Sequence, residues 1–278
     1  MAFSETSRRL IVNADDFGLS PGVNAAVIQA HQEGILTSAS LMVNEEGASD
    51  AVRLAASNPR LGVGLHLSLA HGRAGLTPAQ IPRLADVNGR FRDSGVAAGF
   101  SYFFNRKLQA ELRAEIAAQF EGFKRSGLVL DHVNGHLNMH LHPAILRVLL
   151  ENSERWGVRS VRLTRDPFFL NARLAGGAWA YRCSHAVIYR CLSAWARPRL
   201  RRKGLAHTGV VFGLLQNGRV HEQFLLDLLP NLPAGDSELY SHPGPPHFME
   251  ELAALTSPRA RDAVRRLGIQ LIRYQDLR

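Results

Sequence analysis

The sequence predicts an α/β fold, a single-domain irregular (β/α) barrel with seven or eight mostly parallel strands. Two observations lead to this fold class. Apolar, strand-like runs alternate with segments of helical periodicity along most of the chain, which is typical of parallel sheets covered by helices. The length of 278 residues and the apolar content of 46% are sufficient for one large core. Since neither an internal repeat nor a linker divides the chain, we expect one domain over 1–278.

The first half of the chain alternates between strands and helices. An apolar run predicts a strand over 9–13, and a helix follows with Ser20 as its N-cap, Pro21 in its first turn and Gly34 after its end. The next predicted strands are 38–43, 61–67 and 128–133, and the next predicted helices are 48–57, 107–126 and 143–156. The range 70–101 is rich in Gly and Pro, which predicts a long loop of the kind that covers a site.

The second half continues the alternation around a basic interruption. Its predicted strands are 158–163, 210–212, 238–241 and 269–273, and its predicted helices are 222–229 and 259–267. From residue 167 to residue 221 there are nine basic residues and no acidic ones, and elsewhere basic and acidic residues are equal in number. The net charge of +9 is therefore local, and we predict a basic amphipathic insertion at about 170–206.

Two properties of the chain predict a cytoplasmic protein with reduced thiols. Residues 1–9 are polar and lack a signal-peptide core, and no apolar run reaches the ~18 residues of a membrane-spanning helix. Cys183 and Cys191 are eight residues apart, which on a helix is about 12 Å. That separation is too large for a disulfide, so we expect two free cysteines without a metal role.

Carboxylates and histidines follow several of the predicted strands. These candidates are Asp15, Asp16, His66, His136, His140 and His242. A single one of them would be explained by a capped turn or by an ordinary loop histidine. In a β/α barrel, however, the carboxyl ends of the strands converge on one face, where active sites form. One Asp with two His is a common ligand set for a divalent metal, so the pattern predicts an open metal site.

The motifs at these strand ends carry a specific resemblance. They read Asn13-Ala14-Asp15-Asp16-Phe17-Gly18, Gly64-Leu65-His66, Gly135-His136 and His242-Pro243. In combination, and over nearly the whole chain, they resemble the YdjC/ChbG family of carbohydrate deacetylases. The residues of 134–140 and the long insertion are most similar to the subgroup associated with hopanoid biosynthesis.

The resemblance implies a role for each candidate residue. One divalent ion, Zn²⁺ or Mg²⁺, would be bound by Asp16, His66 and His136, with Asp15 as the base and His242 as the acid. Many relatives differ from this chain in the segment after the fourth strand, where the resemblance implies substrate contacts by Asn134, Asn138 and His140. The implied reaction removes the acetyl group from an N-acetylglucosaminyl group on a bacteriohopanetetrol-type lipid.

Three other functions remain open at this point. The same chemistry could act on soluble N-acetylated chitooligosaccharides, although these substrates give no reason for the insertion. A non-catalytic metal- or sugar-binding protein would not need both a base and an acid. A glycosidase needs a second catalytic carboxylate, which the motif-bearing strand ends lack.

The basic insertion combines aromatic residues with cations, which suits the surface of an anionic membrane. We predict peripheral docking on the inner membrane through five residues, Trp179, Arg182, Trp195, Arg201 and Arg202. The alternative is a helix packed on the barrel with a solvated basic end. Nucleic-acid binding would rest on charge alone and is not expected. The oligomeric state is open, with a homodimer as one option.

Overall fold

A curled, parallel sheet forms the centre of the molecule. The computed structural model describes residues 7–91, 95–105, 107–245 and 248–277, except the side chain of Val96. Its strands are β1 Arg8–Phe17, β2 Ser38–Leu41, β3 Gly62–Leu67, β4 Leu130–Gly135, β5 Val210–Phe212, β6 Gly235–Ser241 and β7 Gln270–Leu271. The spatial order is β4-β3-β2-β1-β6-β5, with β7 paired to β1, and every pairing is parallel. The predicted α/β class with a curled parallel sheet is confirmed.

An irregular segment lies between the two edge strands, β4 and β5. Val161 pairs with Val133 of β4, and the amide of Val211 in β5 donates to the carbonyl of Arg165 at 3.0 Å. The predicted strand 158–163 is therefore present only as isolated bridges. It lacks a continuous ladder because its residues alternate between partners on its two sides, since Ser160 pairs with Ala206.

Helices cover the outside of the sheet. They are α1 Pro21–Glu33, α2 Ala48–Ala56, α3 Gly95–Phe104, α4 Leu108–Arg125, α5 Pro143–Asn152, α6 Phe168–Leu174, α7 Trp179–Arg202, α8 Glu222–Leu228, α9 Met249–Thr256 and α10 Pro258–Arg266. Helix α3 begins inside the range predicted as a loop, 70–101, and that prediction is wrong over this part. Its ten residues include no charged side chain, so they show no polar face from which a helical period could be read. None of the described helices is both long enough and apolar enough to span a membrane.

Strand β1 lies at the centre of the sheet and shows why its sequence is apolar without alternation. Leu10, Ile11 and Val12 are all fully buried, because helices cover one face of the sheet and the barrel interior covers the other. The helix that follows begins as predicted, with the Ser20 hydroxyl accepting from the amide of Val23 at 3.3 Å. The strand itself continues to Phe17, four residues past its predicted end.

The basic insertion forms α6 and the 24-residue helix α7, which packs along the barrel wall. The Ser193 hydroxyl donates to the carbonyl of Thr164 at the carboxyl edge of the sheet. Arg202 lies nine residues further along, or about 14 Å toward the amino edge. Trp179, the first residue of the helix, lies beyond the carboxyl edge of the sheet. Trp179 and the basic residues Arg199, Arg201 and Arg202 therefore lie at opposite ends of α7.

Two of the five predicted docking residues face inward. Arg182 is 1% exposed, and its guanidinium donates to the carbonyl of Ala175 and to Asn171 Oδ1, each at 2.5 Å. Trp195 is half-buried and packs on the core, with the guanidinium of Arg199 4.0 Å from its ring centre. Assigning Arg182 to a membrane surface is wrong, because periodicity alone does not show which side of a helix meets the barrel.

Candidate metal centre

A local irregularity at the end of β1 brings two adjacent carboxylates to one side. The pairing with β2 shifts register between Ala14 and Phe17, and Asp16 has a φ of 63°. In a regular strand Asp15 and Asp16 would point to opposite faces. The left-handed residue breaks this alternation, at a cost of about 1 kcal/mol, so that both carboxylates reach the carboxyl edge of the sheet.

Asp16 meets two histidines from neighbouring strand ends. Its Oδ1 atom lies 3.2 Å from Nε2 of His66, at the end of β3, and 3.0 Å from Nδ1 of His136, directly after β4. One ligand atom from each of the three residues lies within 4.8 Å of the other two. The structure thus brings together the three residues predicted as metal ligands, and among the described residues no other such cluster occurs.

The hydrogen bonds of His66 test whether this set suits a metal. Its Nδ1 atom donates to Asn134 Oδ1 at 2.7 Å, which fixes the proton on that nitrogen. In the neutral ring Nε2 then carries the lone pair, and this buried atom, 3.2 Å from Asp16 Oδ1, has no hydrogen-bond partner. A buried lone pair facing a carboxylate fits a metal ligand. One carboxylate and two imidazoles form a donor set that suits Zn²⁺ better than Mg²⁺.

Charge governs the ionisation of the cluster. Burial opposes an ionised Asp16, but the charge and hydrogen bond of His136 hold the pKa of Asp16 well below its usual range. For His136 burial favours the neutral ring, yet the neighbouring Asp16 raises its pKa. In the metal-free protein the two therefore behave as an ion pair.

Asp15, the predicted base, accepts four hydrogen bonds. Arg162 donates to both of its oxygens, at 2.6 and 2.9 Å, and the amides of Asn13 and Asn134 donate to Oδ1 at 2.8 and 3.0 Å. Burial works against the anion, but the Arg162 charge, with smaller contributions from His66 and His242, holds the pKa of Asp15 well below its usual range. Asp15 is consequently a fixed anion at neutral pH.

Sequence reasoning missed the group that holds Asp15. Arg162 is fully buried, and it also contacts Glu238 of β6, whose second oxygen accepts from the hydroxyl of Tyr274. The ring of Tyr240 lies 4.3 Å from the guanidinium carbon. A signal existed, since Arg162 and Glu238 are opposite charges inside two predicted strands. Buried strands accept such residues only when they are paired.

The residues predicted to contact substrate lie below the site and bind protein groups. Asn134 connects His66 to Asp15, as described above. Asn138 accepts from the hydroxyl of Thr164 at 2.7 Å and donates to that of Tyr240 at 3.3 Å. His140 is fully buried, and its Nε2 atom contacts the carbonyl of Arg162 at 2.9 Å. In this arrangement the three side chains support Arg162, Asp15 and His66.

His242, the predicted acid, lies directly after β6. Its amide donates to Glu251 at 2.6 Å, which fixes the backbone. The half-buried ring lies between those of Tyr240 and Phe248, with centroids 5.8 and 5.6 Å away. Its charge contributes to the low pKa of Asp15, so the two groups share one electrostatic environment. The structure therefore brings the predicted acid and base to the same strand ends.

An aromatic and apolar rim, formed by His71, Leu137 and α3, lies beside the metal cluster, and no motif in the sequence predicted it. The His71 ring lies 6.0 Å from that of His136. Leu137, which follows His136, packs so closely on α3 that a Cβ at Gly95 would lie 2.6 Å from its Cδ1 atom. Three phenylalanines of α3 are 59–72% exposed: Phe100, Phe103 and Phe104.

Comparison with known proteins adds family information to this geometry. The model of the YdjC-like protein family matches residues 9–266. A carbohydrate deacetylase of Geobacillus stearothermophilus is 39% identical over 273 residues, covering 97% of this chain and 98% of the relative. A carbohydrate deacetylase of Brevibacillus brevis is 44% identical over 150 residues, covering 54% of this chain and 57% of the relative.

Solved structures agree on the fold. A crystal structure of an Enterococcus faecalis protein superposes with a TM-score of 0.73 at 24% identity, covering 97% of this chain and 98% of that one. A protein of Agrobacterium tumefaciens superposes with a TM-score of 0.53 at 12% identity, covering 98% and 89%. At these identities the likeness concerns the chain fold alone.

Proposed function

Because the chain belongs to the YdjC-like protein family, we propose that it is a carbohydrate deacetylase that depends on one divalent metal ion. The observation that carries the metal dependence is the unpartnered Nε2 atom of His66, which faces Asp16 beside His136. The full-length similarity to the Geobacillus carbohydrate deacetylase supports the reaction.

The proposed reaction is hydrolysis of an N-acetyl group. Water adds to the acetyl carbon, the C–N bond breaks, and acetate and a free amine are formed. Asp16, His66 and His136 would hold the ion, which would supply Lewis acidity for lowering the pKa of water and polarising the acetyl carbonyl. Asp15 accepts a proton from the water, and His242 donates one to the departing nitrogen. Since the pKa of Asp15 is low, it is a weak base, and it can accept the proton only from a water whose own pKa is lowered.

Loss of individual groups tests these roles. We expect His66→Ala to lose both the bound metal and the activity, because it removes the ligand with the free lone pair. Asp15→Asn should retain the metal and lose most of the activity. Metal content by elemental analysis and acetate release by a coupled assay measure the two properties. A metal-free wild-type protein with full activity would overturn the proposed metal dependence.

For the substrate, we propose an N-acetylglucosaminyl hopanoid lipid. The support comes from the sequence resemblance and from the apolar rim formed by Leu137 and α3. The hydrocarbon part of a glycolipid offers the three exposed phenylalanines of α3 a larger apolar surface than a chitooligosaccharide, whose apolar surface is confined to the C–H faces of its rings and to its acetyl methyl groups. The soluble sugar is the second candidate, because the name carbohydrate deacetylase that the two relatives above share covers either substrate.

Mass spectrometry distinguishes these substrates. The purified protein is incubated with N-acetylglucosaminyl bacteriohopanetetrol and, in parallel, with diacetylchitobiose, each with and without a chelator. Chelator-sensitive loss of one acetyl group from the lipid alone supports the glycolipid, and loss from chitobiose alone supports the soluble sugar. No loss from either substrate by metal-loaded protein would favour a non-catalytic metal- or sugar-binding protein.

We also propose that the outer face of α7 lies flat on an anionic membrane. This face has no acidic residue, and one stripe of it reads Cys183, Val187, Cys191, Ala194, Pro198 and Arg201, all exposed. Because Trp179 and Arg202 lie at opposite ends of the helix, both can reach a bilayer only if the helix axis is parallel to it. Arg182 and Trp195 take no part in this revised surface.

Co-sedimentation with liposomes tests the docking. Val187→Asp puts an acid on the proposed face, and Val129→Asp is its control, since Val129 is also exposed but lies just before β4. We expect Val187→Asp to weaken binding to vesicles rich in phosphatidylglycerol, and Val129→Asp to leave it unchanged. Equal binding by the two variants would exclude the α7 face.

A further inference from the structure

A second buried hydrogen-bond chain runs beneath the metal cluster, through three residues that the proposed chemistry does not use. Asp131 Oδ2 lies 3.0 Å from Nδ1 of His132, and His132 Nε2 lies 2.9 Å from the Ser40 hydroxyl. That hydroxyl also accepts from the side-chain amides of Asn13 and Asn134, at 2.9 and 2.8 Å. Asp131, His132 and Ser40 are 2%, 1% and 0% exposed.

The order Asp, His, Ser is that of a nucleophilic triad, but the surroundings of Ser40 rule out that chemistry. Both lone pairs of its oxygen are occupied by the amides of Asn13 and Asn134. A nucleophile needs a free lone pair and access to substrate. Ser40 has neither, since it is fully buried.

Only one arrangement of hydrogens satisfies this chain. Because Ser40 accepts two amide N–H groups, its own proton goes to His132 Nε2, and His132 Nδ1–H donates to Asp131. The nitrogen of the Asn134 amide then faces Ser40 and the anionic Asp15. Its oxygen faces His66, where it can only accept, so the proton of His66 is on Nδ1.

We propose that Asp131, His132 and Ser40 are positioning residues for the metal site, an inference that rests on the proposed function. They fix the direction of the Asn134 amide, which in turn holds His66 in the tautomer that presents Nε2 to the metal. A carboxylate anchors each end of this chain, Asp131 on one side and Asp15 on the other. The ligand His66 on β3 is thus oriented by residues of the two strands that flank it, β2 and β4.

The space around His132 is shaped for this position. Gly64 of β3 lies against the ring, and a Cβ there would be 2.5 Å from His132 Nδ1. The other side of the ring stacks on Tyr274, with centroids 4.2 Å apart. Asp131 is fixed in turn by the amide of Gln275, which donates to Oδ1 at 3.0 Å. Packing and hydrogen bonds together leave His132 one orientation.

Removing one hydroxyl tests the proposal. Ser40→Ala deletes the shared acceptor, and Ser237→Ala is the matched control, because Ser237 is an equally buried strand hydroxyl without a hydrogen-bond partner. Ser40→Thr restores the hydroxyl. We measure Zn²⁺ affinity by chelator competition and, on the metal-free proteins, the His66 tautomer from long-range ¹H–¹⁵N NMR correlations.

We expect Ser40→Ala to weaken Zn²⁺ binding about 10- to 100-fold and to give His66 a mixture of tautomers. Ser237→Ala should match the wild type, and Ser40→Thr should recover affinity relative to Ser40→Ala. Wild-type affinity and a pure Nδ1–H tautomer in Ser40→Ala, even with a lower melting temperature, would reduce Ser40 to a structural role and overturn the proposal. A wild type that binds no Zn²⁺ would instead refute the proposed function, while the tautomer measurement would still decide this inference.

Discussion

Two aspartates, one buried and one half-buried, lie at the same edge of the sheet, each near an arginine, and their charge states differ. Asp15 receives two bonds from Arg162, and its pKa lies well below the usual range. Asp166 receives bonds from the amide of Leu215 and the side chain of Asn171, and burial raises its pKa to about 7. Nearby Arg182 lowers that pKa less than these two bonds do, because its guanidinium donates to Ala175 and Asn171 and not to Asp166.

The difference shows that direct contact, more than the proximity of a cation, keeps a buried carboxylate ionised. Charge-assisted bonds to both oxygens offset the desolvation of Asp15. Amide donors alone leave Asp166 with a pKa of about 7, so that it is about half protonated at neutral pH. Asp15 is therefore kept ionised, whereas Asp166 gains and loses a proton near neutral pH.

The strongest test of this contrast removes the contacting cation. Arg162→Met leaves the carboxylates of Asp15 and Glu238 buried without a cation, so we expect a loss of about 3–5 kcal/mol in the free energy of unfolding. Urea denaturation measures it. Arg165→Met is the control, since Arg165 is exposed, and should change stability by no more than about 0.5 kcal/mol. Equal effects of the two substitutions would contradict the proposed importance of the ion pair.

The same substitution at each aspartate separates their functions. Asp15→Asn removes the proposed base, and we expect acetate release to fall by about 10²- to 10⁴-fold. Asp166→Asn should leave turnover within a factor of about three, because a neutral side chain there resembles the natural state. If both variants lose activity equally, Asp15 has no special role in catalysis.

A smaller effect is expected from the arginine that makes no contact with its carboxyl neighbour. Arg182→Met leaves the carbonyl of Ala175 and the side chain of Asn171 with unmet hydrogen-bond capacity, at a cost of about 1–3 kcal/mol. Thermal unfolding of Arg182→Met and Arg162→Met, measured side by side, compares the stability that each arginine contributes. A loss as large as that of Arg162→Met would remove the distinction between the regions.

The last comparison concerns the pH dependence of stability. Asp166 binds a proton more tightly in the folded state, with a pKa of about 7, so its contribution weakens as pH rises from about 4 to 7. Burial lowers the pKa of His140 to about 3, so its contribution weakens as pH falls from about 6.5 to 3. Between pH 4 and 6.5 the two contributions oppose each other.

Asp166→Asn should therefore reveal the contribution of His140 to the pH dependence of stability. Between pH 6.5 and 4, stability of the variant should fall by about 1.4 kcal/mol per pH unit more steeply than that of the wild type. Denaturation at a series of pH values gives the slope, and Asp227→Asn, at a surface position of α8, controls for loss of an acid. Parallel curves for the wild type and Asp166→Asn would mean that Asp166 is ionised in the folded protein.

The parts of the site that the sequence predicts are those fixed by topology. Asp16, His66 and His136 were placed at the ends of parallel strands, and parallel strands bring their carboxyl ends together. The alternating segments likewise predicted most elements to within a few residues. These inferences need only the period of the apolar residues and the direction of the strands.

The parts that were missed depend on contacts between distant residues. Arg162 lies 147 residues from Asp15 and 76 from Glu238, so no local pattern connects them. The helical period of the α7 sequence could not show that Arg182 faces inward, because the period alone does not tell which side of the helix packs on the barrel and which side meets solvent. The direction of the Asn134 amide depends on Ser40 and Asp15 together, which only the folded arrangement reveals.

One bond joins the outer helix to the metal site. The hydroxyl of Tyr189 in α7 donates to the carbonyl of Leu137 at 2.7 Å, and Leu137 directly follows the ligand His136. Thermodynamic reciprocity then applies to the two sites. Any partner that binds α7 differently in the metal-loaded and metal-free proteins must change metal affinity, and the metal must change the affinity of that partner by the same factor. The bond from Tyr189 to Leu137 is the contact through which such a linkage would reach the ligand His136.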